Sequence, residues 1–148
     1  MRRKETFLYD SREQHPFIFK GHTNLKTCLK VGDNSIRGYG KFIAIERKGW
    51  SDFVRCLTCD WDRFFERDTS QVSKLMKLEH ACIVVEGTCN RGLSHTYTRI
   101  PLTVEFLARR IAKISLRVPV ILMDTRPLAR EVALRFLLEA KDIFDGQV

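Results

Sequence analysis

The sequence has no uninterrupted apolar segment long enough to cross a lipid bilayer, so it predicts no transmembrane helix. The basic residues at its start are not followed by an apolar stretch with a small-residue cleavage site, which argues against a secretory signal. The sequence also contains no internal repeat, low-complexity tract or linker. These absences predict an intracellular protein of the cytoplasm, nucleoid or nucleus.

Cysteine is scarce, and its five residues are odd in number and irregularly spaced, unlike a secreted disulfide framework. Cys56 and Cys59 have the spacing of a zinc-ligand pair, and His80-Ala81-Cys82 could complete four ligands. Both cysteines of the pair lie in an aromatic-rich helical pattern, however, where thiols serve as small core residues. We therefore expect reduced thiols and a packing role for Cys56 and Cys59.

The size and charge of the chain set broad limits on its class. At 148 residues and 17.3 kDa, residues 1–148 suit one domain with a single core. The formal net charge of +8 favours a polyanionic partner. Basic charge alone agrees equally well with nucleic acid, an anionic membrane surface or plain solubility.

The hydrophobic pattern predicts a strand-rich first third, followed by alternating helices and strands. Alternation and short apolar runs predict strands at residues 6–9, 25–31, 42–45, 81–85 and 118–123. Apolar spacings of three and four predict helices at residues 50–65, 70–79, 103–116 and 127–144. Ser51 is the expected N-cap of the first helix, and Gly38-Tyr39-Gly40 the expected hairpin turn. This order predicts an α/β fold with a central mixed β-sheet flanked by helices.

Charged residues gather at the end of the third predicted strand. Alternation places Glu46 and Lys48 on one face of that strand, and hairpin pairing brings Asp33 close to them. Two neighbouring carboxylates repel each other unless a hard divalent cation lies between them, and Mg²⁺ takes one or two carboxylates plus phosphate oxygens. The pattern therefore predicts phosphodiester hydrolysis with Mg²⁺ or Mn²⁺. Lys48 would orient or deprotonate a water, or neutralise charge on the phosphate.

A solvated strand end with surface ion pairs is the alternative that this spacing leaves open, because the pattern is short and its residue types are common.

Three short motifs together resemble the XPF-type structure-selective nuclease family, a branch of the restriction-endonuclease-like superfamily. They are Asp10-Ser11-Arg12-Glu13, Gly32-Asp33, and Glu46-Arg47-Lys48 followed by Asp52, which match D-x-R-E, GD and ERKxxxD. The predicted order of elements up to about residue 140 also fits that nuclease domain. The resemblance implies a restriction-endonuclease-like core and a metal-dependent DNA endonuclease. Its expected substrates are branched, flap or junction DNA in repair, recombination or phage-type processing, with no membrane partner.

The resemblance also implies how a metal would be held. Asp33 and Glu46 are the expected principal ligands, with the backbone carbonyl of Arg47 as a third protein ligand. Lys48 is the expected catalytic lysine.

The remaining motif residues are expected around this centre. Asp10 and Glu13 would line the same site in an outer position. Arg12 and Arg47 would pair with these acids or contact phosphate. Asp52 would hold the neighbouring lysine or arginine in place, and a carboxylate favoured by the start of a helix is an equal alternative.

Basic residues outside the acidic motifs predict contacts with the DNA backbone. Arg37 and Lys41 lie in a long, basic turn after the second predicted strand, and Arg91 lies in a later loop. Together with Arg12 they form the predicted DNA-binding set.

The chain departs from the family pattern in two respects. Polar Asn34-Ser35 follows Gly32-Asp33, where the family usually has an aromatic or apolar pair. We expect no tandem helix-hairpin-helix module after the predicted nuclease domain, although family members commonly use one to bind branched DNA and to dimerise. A homodimer or a separate DNA-binding subunit is therefore expected.

An apolar stripe on the last predicted helix would serve such a dimer interface or, more commonly, the helix's own core. Its members are Leu128, Val132, Phe136 and Leu137.

Two other functions stay open. A catalytically silent subunit that only scaffolds a DNA-bound nuclease complex is one, but silent family members lose acids from motifs that this chain keeps. A sequence-reading or RNA-cleaving nuclease is the other, because the superfamily shares the same acids.

Overall fold

The computed structural model describes residues 4–87 and 102–146 of the chain. Its strands are β1 (Thr6–Asp10), β2 (Thr23–Thr27), β3 (Asn34–Ile36), β4 (Ile43–Gly49), β5 (His80–Glu86) and β6 (Val120–Met123). Its helices are α1 (Trp50–Leu57), α2 (Gln71–Met76), α3 (Val104–Ser115) and α4 (Arg126–Phe144), with a π turn at Asp62–Glu66.

The six strands form one mixed sheet in the order β2-β1-β3-β4-β5-β6. β1 and β2 run parallel, whereas β3 pairs antiparallel with both β1 and β4. β4, β5 and β6 run parallel to one another. β6 lies at an edge and is only partly buried, so the prediction of a buried strand there was wrong. The mixed sheet with helices on both faces confirms the predicted α/β class.

The sheet separates two layers of buried side chains. In β5, Ile83 and Val85 face one layer, while Cys82 and Val84 face the other. α1, the π turn, α2 and α3 cover the first layer. α4 covers the second, together with Phe17 from the loop before β2. Side chains on both faces of β5 are therefore buried, as its continuous apolar sequence predicts.

The strand predicted at residues 25–31 is shorter than expected, and an unpredicted strand follows it. β2 ends at Thr27, and the Leu29 N–H donates to the Asp10 carboxylate (2.9 Å) instead of to a strand. After a turn at Gly32, β3 begins. The pattern missed β3 because polar side chains occupy two of its three positions.

These two polar residues, Asn34 and Ser35, are fully buried. The Asn34 amide donates to the Phe17 carbonyl at 2.9 Å, and the Ser35 hydroxyl donates to the Ile43 carbonyl. Buried polar groups are tolerated when they are hydrogen-bonded. The departure from the family pattern thus ties the loop before β2 to the sheet.

The helix predicted at residues 50–65 is interrupted. Gly49, and not Ser51, is the N-cap of α1, and no side chain caps this end. Past the end of α1, the Asp60 N–H donates to the Arg55 carbonyl at 2.9 Å, a bond that spans five residues and leads into the π turn. The apolar spacing continues across this break because aromatic residues on both sides of it pack into the same core layer.

The other three helices begin at side-chain caps, which the sequence patterns did not name. In each, a hydroxyl accepts a hydrogen bond from the N–H three residues ahead, and the caps are Ser70, Thr103 and Thr125. Among the described residues, none of the helices combines the length and the apolar character needed to cross a bilayer.

The two cysteines with zinc-ligand spacing lie in different environments. Cys56 is buried in the core layer beneath α1, as expected for a packing residue. Cys59 is exposed, so the expectation of a packing role was wrong for that residue.

The apolar stripe of α4 faces mainly its own core. Leu137 is buried, and Val132 and Phe136 are partly buried against the same layer. Leu128 is 52% exposed and is the member left at the surface.

We predict that alanine at Gly32 destabilises the fold. Gly32 has a φ of +79°, and an added Cβ would meet the Ala44 Cβ at 2.8 Å and the Ile45 carbonyl oxygen at 3.0 Å. The left-handed conformation and the overpacking together should lower the free energy of unfolding by about 2–4 kcal/mol, measured by urea titration.

Gly38→Ala is the matched control, because Gly38 has a φ of +88° but nothing lies within 4 Å of an added Cβ. Its free energy of unfolding should fall only by the cost of the left-handed backbone conformation, about 1–2 kcal/mol. Equal losses in the two variants would contradict the close approach of Gly32 to β4.

Candidate active site

Three motif acids meet where β1, β3 and β4 lie side by side. The Asp33 N–H donates to the Ile45 carbonyl at 2.7 Å, and the Asp10 N–H donates to the Asp33 carbonyl at 2.8 Å. These bonds bring the end of β1, the start of β3 and the carboxyl half of β4 together at one end of these neighbouring strands. Asp10, Asp33 and Glu46 line a cavity of about 240 Å³ there.

The Asp33 side chain is held in place and is largely buried. Its carboxylate accepts a hydrogen bond from the Arg47 backbone N–H at 2.8 Å, and only 9% of the residue is exposed. Burial, with a contribution from the Glu46 carboxylate, raises the pKa of Asp33 to about 8. Without a cation beside it, Asp33 is therefore mostly protonated at neutral pH.

Glu46 and Lys48 project from the same face of β4, as strand alternation predicts. Lys48 Nζ lies 3.2 Å from a Glu46 carboxylate oxygen, and both side chains are mostly buried. Burial raises the pKa of Glu46 against the opposing effect of Lys48. Burial alone would lower the pKa of Lys48, but the Glu46 charge raises it above its ordinary value. Lys48 therefore carries its positive charge at neutral pH.

Arg12 holds the buried Asp10 carboxylate from the solvent side. Its Nε donates to Asp10 at 3.0 Å, and another of its nitrogens donates to the Leu29 carbonyl at 2.6 Å. Burial alone would raise the pKa of Asp10, but Arg12 and the Leu29 N–H together lower it below its ordinary value. Asp10 is thus ionised at neutral pH.

Arg47 forms a second ion-pair group, which includes two residues that the sequence patterns did not single out. Its guanidinium lies 2.7 Å from Glu86 and 3.5 Å from Glu13. Arg126 contacts the same Glu86 oxygen at 2.7 Å and donates to the Pro16 carbonyl at 2.8 Å. Burial alone would raise the pKa of Glu86, but the two arginines lower it. This group joins β4, β5, α4 and the loop after β1.

The position of Glu86, directly after a buried apolar run, could have indicated its place in the site. Glu86 ends the buried run of β5, and in the parallel register it lies opposite Gly49 of β4. Because the carboxyl ends of neighbouring parallel strands meet at one edge of a sheet, an acid there can reach residues at the end of β4. No local pattern marks Arg126, because its contacts depend on how α4 packs.

The other predicted site residues are not part of these ion-paired groups, although Asp52 lines a cleft of about 520 Å³ together with Arg47 and Lys48. Asp52 is exposed in the first turn of α1, and within the described ranges no hydrogen bond or ion pair joins its side chain to β4. Arg37 and Lys41 are exposed in the turn between β3 and β4, at the opposite end of β4 from the acids. Arg91 lies outside the described residues. DNA contacts by these three basic residues stay a prediction.

The acids at the sheet edge suit a hard divalent cation. In residues 4–87 and 102–146, no three His, Cys, Asp or Glu side chains form a group able to hold a metal by themselves. Two carboxylates, Asp33 and Glu46, do line one cavity, and Mg²⁺ completes such a pair with water and phosphate oxygens. The raised pKa of Asp33 agrees with this fit, because a cation would offset the repulsion between the two acids.

We predict that Asp33→Asn stabilises the fold when divalent cations are removed. The Asp33 carboxyl has an ordinary pKa of 3.8 and a pKa of about 8 in the fold, so wild-type stability is lost as pH rises through this window. Asparagine keeps an acceptor for the Arg47 N–H but does not ionise. In EDTA at pH 8, the variant should gain about 1–3 kcal/mol in the free energy of unfolding, and little at pH 4.

Urea titrations at the two pH values measure this gain. Asp68→Asn is the control, because Asp68 is exposed in a turn and should show no gain that grows with pH. Equal stability of wild type and Asp33→Asn at pH 8 would contradict the cost of ionising Asp33.

Comparisons with known proteins place this arrangement in a fold family. No protein-family model and no curated protein matches the chain. The chain is similar to the solved structure of XPF from Aeropyrum pernix, with a TM-score of 0.63 and 26% identity, over 92% of this chain and 60% of that chain.

A second solved structure, XPF from Aeropyrum pernix in complex with DNA, is similar with a TM-score of 0.63 and 21% identity. This match covers 97% of this chain and 66% of that chain, so the chain spans less than two thirds of either XPF structure. The chain therefore shares its mixed-sheet α/β fold with these XPF structures, which supports the XPF-type nuclease domain that its motifs predict.

Proposed function

We propose that this chain is a DNA endonuclease that hydrolyses phosphodiester bonds with the help of Mg²⁺ or Mn²⁺. The observation that carries the proposal is the grouping of buried Asp33, Glu46 and Lys48 at one strand end beside a cavity. The shared fold supports nuclease chemistry, and the XPF structure in complex with DNA supports DNA as the polymer.

Asp33 and Glu46 would hold the cation, with the Arg47 backbone carbonyl as a further ligand. Asp10, which is ionised, and Glu13, which pairs with Arg47, would stand in outer positions. A bound divalent cation polarises a phosphoryl oxygen and lowers the pKa of its water.

Lys48 has one role that its electrostatics favour. Lys48 Nζ is fixed 3.2 Å from a Glu46 carboxylate oxygen, and in the metal-free fold this pairing raises the pKa of Lys48, which does not favour a role as a base. A fixed ammonium in a largely buried site can instead neutralise the negative charge that develops on the phosphate. Of the roles that the sequence left open for Lys48, we therefore propose charge neutralisation.

The ion-pair group around Arg47 would keep this geometry in place. Arg47 supplies the N–H that orients the Asp33 carboxylate, and its guanidinium is fixed by Glu86 and Glu13. A shift of β4 would therefore move both acids and the lysine together. We propose that Glu86 is a positioning residue for the site.

We extend the proposal to DNA with branches, flaps or single/double-strand junctions as the substrate, on the strength of the motif resemblance. A second copy of the chain or a separate DNA-binding subunit would be the protein partner. The exposed Leu128 and Ile143 side chains on α4, each 52% accessible, offer apolar surface for such a partner.

We predict that Asp33→Asn and Lys48→Ala each lower the cleavage rate by at least about 10²-fold, the usual cost of removing one charge-stabilising group. The assay uses end-labelled duplex, splayed-arm, flap and single-stranded DNA, with Mg²⁺, Mn²⁺ or EDTA. Since Asp33→Asn is expected to be more stable than metal-free wild type, its loss of cleavage cannot be attributed to unfolding.

Lys113→Ala is the control, because Lys113 is exposed on α3 and lines neither cavity of the site. It should cleave like wild type. A wild-type protein that binds branched DNA but cuts no substrate with either metal would overturn the proposal in favour of a silent scaffold subunit.

A further inference from the structure

A cleft of about 520 Å³ lies beside the acids, between the loop after β1, the end of α1, the π turn and α2. We propose that this cleft holds the sugar–phosphate backbone of a single DNA strand, with Arg55, Arg63 and Lys74 as its phosphate contacts. This inference rests on the proposed nuclease function, since the strand in the cleft would be the one presented for cleavage.

The charge of the cleft wall favours a polyanion. Seven lysine or arginine side chains line it, against three carboxylates. One of these carboxylates, Glu13, is already paired with Arg47. The wall therefore has positive charge in excess of its internal pairs, which is the property that attracts a phosphate backbone.

The basic residues of the wall fall into two groups. Four are already paired: Arg12, Arg47 and Lys48 with acids of the site, which they thereby hold together, and Arg67 with Asp62 of the π turn. Arg55 and Arg63 are exposed, as is Lys74, and within the described part of the chain none of these three side chains has a hydrogen-bond or ion-pair partner. Their charges are thus available for a ligand.

The cleft continues into the cavity that holds the acids. Arg12, Gln71 and Lys74 line both the cleft and the 240 Å³ cavity of Asp33 and Glu46. A phosphate held near Lys74 would therefore place its neighbour along the strand close to the acids. This continuity connects the unpaired cations with the reacting end of β4.

The π turn explains why Arg63 points into this space. The Arg67 N–H donates to the Asp62 carbonyl at 3.0 Å, and the Trp61 indole donates to Glu66 at 2.7 Å, so both ends of the turn are tied. Trp61 also stacks on Phe65 with ring centroids 4.4 Å apart. An extra residue in a helical turn is uncommon and concentrates at functional sites, where it redirects side chains. Here the hydrogen-bonded turn directs the Arg63 side chain into the cleft.

The size of the cleft suits the backbone of one strand. A volume of about 520 Å³ is that of a site for a small molecule, so the cleft would enclose part of one sugar–phosphate backbone and not both strands of a duplex. Phe64, the phenyl ring of the wall, is 2% exposed and offers no face for a base, so the exposed His15 imidazole is the ring of the wall that a base could reach. Because stacking tolerates any base and the other proposed contacts are with phosphate, recognition would be of the backbone and independent of sequence.

The test measures binding in EDTA, where cleavage is not required. A fluorescent oligo-dT strand is titrated at several salt concentrations with wild type and with Arg55→Gln/Arg63→Gln/Lys74→Gln. Each phosphate contact contributes about 0.7 to the slope of log K against log salt for a single strand. The triple variant should therefore lower the magnitude of the slope by about 2, while the slope for a blunt duplex stays unchanged.

The matched control is Lys4→Gln/Lys20→Gln/Lys113→Gln, which removes the same charge from exposed lysines outside the cleft. It should leave the single-strand slope close to that of wild type. An oligomer of abasic sites should bind as tightly as oligo-dT, and loss of binding to it would overturn backbone recognition. Equal effects of the two triple variants, or an equal loss on single strand and duplex, would overturn the assignment of the cleft.

Cleavage assays separate this inference from the proposed function. If wild type binds no single strand at low salt but still cuts duplex DNA with Mg²⁺, the cleft assignment fails and the nuclease stands. If wild type neither binds nor cuts any DNA, both fail.

Discussion

The site depends on the two hydrogen bonds that join Asp33 to β4. Its N–H donates to the Ile45 carbonyl, and its carboxylate accepts from the Arg47 N–H, so one residue bonds to both neighbours of Glu46. This pairing brings two acids together at a buried sheet edge, and Gly32 permits the close approach because a side chain there would collide with Ala44. The register between β3 and β4 therefore decides whether the site exists.

Bringing acids together in a buried place opposes stability, and the surrounding ion pairs offset part of that cost. Arg12 lowers the pKa of Asp10, Lys48 lies against Glu46, and Glu86 neutralises Arg47. Among the described residues no cation forms an ion pair with Asp33, and its pKa of about 8, which Lys48 lowers only in part, records the remaining penalty. An unpaired buried acid of this kind is characteristic of functional sites, where ligand binding supplies the missing charge.

Charge is also distributed unevenly between the two cavities of the site. The smaller cavity is lined by three carboxylates and three lysine or arginine side chains, whereas the cleft beside it has seven such cations against three carboxylates. A polyanion would be repelled by the acids alone, and the basic cleft offsets this repulsion at short range. The proposed metal would act in the smaller cavity, and the proposed strand contacts lie in the basic cleft.

Local sequence determined the buried parallel strand β5 and the common face of Glu46 and Lys48, because these follow from a continuous apolar run and from strand alternation. Tertiary structure alone decided the rest. β3 is stabilised by hydrogen bonds from Asn34 and Ser35 to distant carbonyls, and Glu86 and Arg126 meet only when β5 and α4 pack beside β4. The basic cleft likewise joins segments far apart in sequence, and no local pattern records that proximity.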